Sequence, residues 1–145
     1  MRFDQSETFT AGYLLPPAAY DADNTPASFD NGTAQACTIA LQVGVGGITF
    51  SGTNKVEFKL THSDAESSGF EAVTVDDVVG VESVGTGGIV RALTAAHATP
   101  SVTLIGYKGR KRYLRLLADF SGTHGTATPM AATALRGKLD RIAPA

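Results

Sequence analysis

The sequence has no tryptophan, one cysteine and no long apolar run, and each absence removes a class of function. A lone Cys37 excludes an intrachain disulfide and any zinc cluster built on cysteine ligands. Crossing a bilayer as a helix takes roughly 18–20 consecutive apolar residues, and none are found, so no membrane partner is expected. The opening Met1-Arg2-Phe3-Asp4 lacks the apolar stretch of a secretory leader, which gives the expectation of a protein made and used in a cytoplasm or exported inside a larger assembly. Charge is sparse at 18% of residues, 12 basic against 14 acidic for a net of −2, so bulk attraction to nucleic acid is not built in. What remains is one soluble domain of 145 residues, enough for a single core.

Charge is unevenly distributed. Residues 1–107 hold four basic and twelve acidic side chains, a net of −8, whereas residues 108–145 hold eight basic and two acidic, a net of +6. Such asymmetry marks either a charged contact surface or two halves that interleave in one fold.

Hydrophobic periodicity points to strands. Lys55–His62 alternates most cleanly, with Val56, Phe58 and Leu60 on one side and Lys55, Glu57, Lys59 and Thr61 on the other. Cys37-Ile39-Leu41-Val43, Phe70–Val73, Gly88–Leu93, Ser101–Tyr107 and Arg112–Phe120 read the same way, with a further short strand expected at Met130–Leu135. Leu93–Ala98 has helix formers but is halted by Pro100, and Thr74–Gly80 resembles a capped single helical turn. Lys108–Lys111 is predicted as a hairpin turn joining its flanking strands. No three-turn amphipathic helix and no repeat is visible. The predicted fold is all-β, an antiparallel sandwich or barrel over 36–123, with an extended N-terminal arm over 1–35 and an irregular C-terminal tail over 124–145 that could complete the β-domain. The arm is inferred from Pro16, Pro17, Pro26 and the Asx-rich 21–33, although Thr8–Leu15 is apolar enough for one short strand. Its apolar residues, Phe3, Phe9 and Tyr13 among them, must pack on their own domain or on a neighbour.

Catalytic signatures are weak. His62-Ser63-Asp64 brings together suggestive residue types, but consecutive strand residues face opposite ways, and no G-x-S-x-G turn is present. Asp64–Gly69 opens like a calcium loop, yet Val75 stands where its closing glutamate is needed. Gly44-Val45-Gly46-Gly47 lacks the third spaced glycine and helix of a dinucleotide site, and the histidines at 62, 97 and 124 have no metal-ligand spacing. No cofactor, metal or catalytic residue is nominated. The strongest local signal is Lys108, Arg110, Lys111 and Arg112, with Arg115 nearby and Tyr107 and Tyr113 flanking. Crowded cations repel one another and would be stabilised by an acidic protein surface or by phosphate. The alternative is a solvated turn whose charges guard a sheet edge. The slight negative charge of the whole chain ranks nucleic acid last.

Val56–Asp64, Phe70–Val73 and Ile105–Leu116 together resemble small β-rich structural proteins encoded among the virion-assembly genes of tailed bacteriophages and prophages. The resemblance covers 55–123, near half the chain, and rests on strand-turn-strand patterns. It implies a virion component without enzymatic activity, a capsid decoration or cement protein bound to the major capsid protein lattice on the head surface. A tail or head-tail connector component, or a virion-borne receptor or carbohydrate module, is the alternative, the last being disfavoured by the lack of tryptophan platforms. Lattice symmetry implies self-association, a trimer being one arrangement, although no residue fixes the number. Partner-binding residues on this basis are Lys108, Arg110, Lys111, Arg112, Arg115, Phe3, Phe9 and Tyr13.

Overall fold

A computed structural model describes residues 9–32 and 36–137, so Phe3 and the end of the tail lie outside the described residues. The strands are β1 (Phe9–Tyr20), β2 (Phe29–Asp30), β3 (Ala36–Val43), β4 (Lys55–Ser63), β5 (Glu71–Ala72), β6 (Val78–Val79), β7 (Ile89–Leu93), β8 (Ser101–Tyr107), β9 (Tyr113–Ser121) and β10 (Thr128–Gly137). They form two antiparallel sheets that pack as an open sandwich. The first runs β1-β10-β3-β8-β6; the second runs β2-β9-β4-β5, with β7 also paired to β4.

The alternation visible in the sequence decides which side chains meet between the sheets. Val56, Phe58 and Leu60 of β4 are fully buried, as are Ile39 and Leu41 of β3, Ile105 of β8 and Leu114 of β9. β4 and β9 keep an unbroken register from Lys55↔Ser121 to Ser63↔Tyr113, so their inward rows rise together as one apolar wall. The all-β sandwich expected from the sequence is the fold observed.

Three local expectations differ. Phe9–Tyr20 lies inside the predicted arm but forms the edge strand of the first sheet, paired to β10 from Phe9↔Gly137 to Tyr20↔Thr128. Prolines 16 and 17 are tolerated because an edge strand needs hydrogen bonds on one side only, and the register shifts between Tyr13 and Ala18 absorb them while turning Leu14 and Leu15 inward. The tail supplies β10, a ten-residue strand between β1 and β3 that is longer than the short strand expected at 130–135 and completes the β-domain, as the sequence allowed. Residues 1–35, 36–123 and 124–145 therefore do not separate into structural units where they are described.

The hairpin predicted at 108–111 is the third difference: β8 and β9 belong to different sheets, and the segment between them crosses from one to the other. Alternation fixes which face of a strand is apolar but not which sheet it joins. Tyr107 at the end of β8 and Leu114 at the start of β9 both point inward, an arrangement that a hairpin and a crossover satisfy equally. Of the remaining signals, Thr74 begins a 3-10 turn over Val75–Asp77, closed by a reciprocal Thr74–Asp77 capping box. Residues 94–100 form an irregular connection rather than a helix.

Gly88 holds the turn before β7 against β4. Its φ of +88° and the backbone oxygen of Leu60 pressed against it leave no room for a side chain. Phe58→Ala, which empties the middle of the core, is expected to cost about 3–5 kcal/mol in urea unfolding. Gly88→Ala should destabilise by more than an exposed-loop substitution, since it meets both an unfavourable φ and fixed backbone; a loss below about 0.5 kcal/mol would contradict this packing.

Candidate functional site

Of the residues singled out by the sequence, the cations of 108–115 and Phe9 lie towards one end of the sandwich, whereas Tyr13 stands in mid-sheet opposite Thr133. Cys37↔Tyr107 and Gly137↔Ala36 pair at this end, and Phe9 pairs with Gly137, so the start of β1 and the 108–112 crossover lie at the same end of the first sheet. The crossover is built on a buried polar base. The Tyr107 hydroxyl accepts a hydrogen bond from the Lys111 backbone N–H at 3.2 Å and shares a second, 2.8 Å hydrogen bond with His62 Nδ1. The two rings meet edge to face, 5.8 Å apart. Burial pushes the Tyr107 hydroxyl up to about 12 and the Cys37 thiol up to about 11. Gly109 folds over Tyr107 so closely that a Cβ there would stand 2.5 Å from the hydroxyl. The Lys108 backbone N–H donates to Asp77 O and the Asn31 N–H to Arg112 O, fixing both ends of the crossover.

Most of the cations are held within the molecule. Lys111 contacts Asp64 at 3.0 Å and Glu71 at 3.6 Å, and the hydrogen bond to Asp64 raises its pKa. Arg112 grips Asp30 with two 3.0 Å hydrogen bonds and lies over the Tyr113 ring. That fork holds the Asp30 carboxyl below its ordinary value and raises Arg112. Arg115 donates to Ser28 Oγ and to Glu66 O while its guanidinium stacks 4.1 Å from the centre of the Phe70 ring. Among the described residues, Lys108 and Arg110 are exposed and have no acidic partner. The crowding inferred from the sequence is thus relieved by acids that the chain brings from 30, 64 and 71. Those acids and the Tyr107–His62 base could not be assigned from the sequence, because strand order alone places them there.

Exposed Phe9 and Tyr13 are carried by β1, on the outer side of the first sheet. His62, Ser63 and Asp64 part company as their alternation requires: His62 turns inward to Tyr107, Ser63 Oγ donates to Ser68 O at 2.5 Å, and Asp64 meets Lys111. The Ser63–Gly69 turn that resembled a calcium loop is closed by Ser63, which also accepts from the Ala65 N–H. At the opposite flank, half-buried Arg91 of β7 reaches the free edge of β8, donating to the hydroxyls of Thr103 and Ser101, and Ser101 Oγ lies 3.2 Å from His97 Nε2. Burial lowers the Arg91 pKa, and its two hydroxyl contacts tie one sheet to the other.

No family model matches this chain, and no curated protein matches it. Among solved structures, a chain from Bacillus endospore appendages, described as a novel family of disulfide-linked pili, matches over 91% of this chain and 89% of its own length at 14% identity and a TM-score of 0.37.

Tyr107→Phe removes the hydroxyl that bonds His62 and accepts from Lys111, and is expected to destabilise by about 1–3 kcal/mol in urea unfolding. The alkaline limb checks the same group. The unfolded chain releases the Tyr107 proton near 10.0 and the folded chain near 12, so stability is full below 10 and falls as pH rises towards 12. Cys37, shifted from 9.0 to about 11, adds an earlier fall. Tyr107→Phe should flatten the later part only; an unchanged profile between pH 10 and 12 would count against the buried hydroxyl.

Proposed function

We propose that this chain is a non-enzymatic structural protein of a tailed-phage virion, a decoration or cement protein that binds the outer surface of the major capsid protein lattice and stabilises the head. One observation carries this beyond the sequence resemblance: the 108–112 crossover is locked to buried Tyr107 and to Asp30, Asp64 and Glu71, yet leaves Lys108 and Arg110 exposed and unpaired among the described residues. Two cations on a fixed backbone lose side-chain but little backbone freedom on docking to an acidic surface, so more of their attraction is retained in the complex than on a mobile loop. Lys111, Arg112 and Arg115 serve mainly to hold that backbone.

The test is co-sedimentation of the purified protein with filled and empty heads of the parent phage at low and moderate salt, with bound copies sought by electron microscopy. Density at regular lattice positions is the expected outcome. Reversing charge in a Lys108→Glu, Arg110→Glu double variant should lower occupancy by at least about tenfold, most strongly at low salt, with melting unchanged. Density on the tail would favour a tail or head-tail joining component, and no virion density at all would sink the proposal. Deleting 1–31 is an unsuitable test, because it strips β1 and its core residues Leu14 and Leu15 from the fold.

A further inference from the structure

The two outer faces of the sandwich differ in kind. On the second sheet the outward positions of β4 and β9 carry paired charges, Lys55 with Glu57 at 3.0 Å and Lys59 with Asp119 at 2.5 Å, and the hydrogen bond to Asp119 raises the Lys59 pKa. On the first sheet no outward position of β1 (9–13), β10 (131–135), β3 (38–42), β8 (102–106) or Val79 of β6 is charged. Five of the seven large apolar side chains exposed among the described residues lie there: Phe9, Tyr13 (60%), Val79 (55%), Val102 (61%) and Leu104 (61%). Single exposed apolar residues are ordinary on a monomer, whereas a contiguous patch marks a contact surface.

The pairing register gives this face a shape. Tyr13 stands opposite Thr133, Thr133 opposite Ala40 and Ala40 opposite Leu104, so one row across four strands reads large, small, small, large. Side chains of β1 and β8 form two ridges, and the short side chains of β10 and β3 form a trough between them. An apolar groove of about 580 Å³, with Pro17, Pro100, Val102, Pro129 and Ala131 in its lining, continues the surface at the end remote from the 108–112 crossover.

From this we infer that the outer face of the first sheet is a self-association surface, and that its occupant is the same face of a second copy, related by a two-fold axis. Charge complementarity argues for this occupant. A charged partner would have to desolvate its groups against a face that offers no counter-charge, so only an uncharged, apolar surface docks without that penalty. The chain itself carries such a surface, and its ridge-and-trough profile is self-complementary: the Val102–Leu104 ridge of each copy enters the Thr133–Ala40 trough of the other, as an isologous interface requires. Size agrees. Four strands about 4.8 Å apart and about seven residues long at about 3.3 Å each, with the two residues of β6, cover roughly 480 Å² per copy, or roughly 950 Å² together. That lies at the roughly 1,000 Å² threshold of a specific interface, in the range of weak, transient contacts, which makes the dimer concentration-dependent. The charged crossover lies at the rim and stays available, so self-association neither needs nor hinders attachment to a capsid and stands apart from the function proposed above.

Sedimentation equilibrium of the full chain over roughly two decades of concentration tests this directly. The expected result is a reversible monomer–dimer equilibrium. Leu104→Asp, which places a charge at the centre of the interface on an already exposed side chain, should weaken it at least about tenfold while leaving thermal melting near that of the parent. Val102→Asp should act likewise, and Val45→Asp, exposed but off this face, should leave the equilibrium alone. A monomer at every concentration, a dimer indifferent to both Leu104→Asp and Val102→Asp, or a closed trimer would each overturn the inference. The Lys108→Glu, Arg110→Glu variant should dimerise normally even where it fails to bind capsids, which separates this surface from the capsid-facing one.

Discussion

Contact between the two apolar inner faces is the interaction on which the rest of the structure depends. Every long strand contributes a row of alternate side chains to it, and each row is apolar at the positions that count: Val56, Phe58 and Leu60 against a layer that includes Ile39, Leu41 and Ile105. Burying a side chain of this kind is worth about 1.5–3 kcal/mol, far more than any exposed ion pair on the surface. The contact constrains the strand pairings, because a one-residue slip would turn an inward row out to solvent. Local polar features, such as the Arg112–Asp30 fork or the Thr74–Asp77 cap, refine a scaffold that burial has already determined.

Because the core is made by sheets facing each other, the connections between strands mostly cross from one sheet to the other. That topology explains why acids far apart in sequence collect around the 108–112 crossover. β2 carries Asp30 alongside β9, and the turn after β4 leads through Asp64 to Glu71. Each is placed by strand pairing, and each then meets a cation whose position is also set by strand pairing. The acidic first part of the chain and the basic last part therefore interleave, which is one of the two outcomes that the charge asymmetry allowed. What would have been mutual repulsion in an isolated basic segment becomes a set of exposed or half-exposed ion pairs around a rigid Tyr107–His62 base.

Much of the fold was legible in the sequence, for a physical reason: a half-buried strand writes its period into the chain. β3, β4, β8 and β9 were readable from alternation within a residue or two, and the Thr74 turn from its capping residues. Pairing was not readable. Nothing local distinguishes a strand that returns beside Tyr107 from one that crosses to the other sheet, so the 108–111 segment was predicted as a hairpin. β1 was obscured by Pro16 and Pro17, whose effect depends on whether a strand has one neighbour or two. Of the site, the cations and Phe9 were visible by residue type, whereas their acidic partners and the buried base were not, since both come from long-range pairing. Tyr13 was nominated for the apolar arm, but the uncharged face that it shares with Leu104 exists only once β1 and β8 are known to lie in the same sheet.

An open sandwich has two outer faces and four edges, and each must be made compatible with water or with a partner. The second sheet solves this with alternating charges that pair along and across strands, leaving a face that gains nothing by association. Its edges are short: β2 and β5 are two residues each, and β7, which lies beside β4 on the same side as β5, is five. On the first sheet, β6 is as brief as β2 and β5, and Arg91 reaches across to occupy hydroxyls on the remaining free edge of β8. β1 is the long edge, interrupted by prolines and register shifts at 13–18 but free of charge along its whole length. Protection is therefore dense everywhere except over the outer face of the first sheet and the β1 edge that borders it. A chain that caps, charges or shortens its other exposed elements, and leaves one contiguous face uncharged and apolar, has a surface whose solvation cost is relieved by contact. Small residues in the middle of that face, Ala40 and Thr133, keep it from being flat and so give contact a defined geometry rather than indiscriminate adhesion.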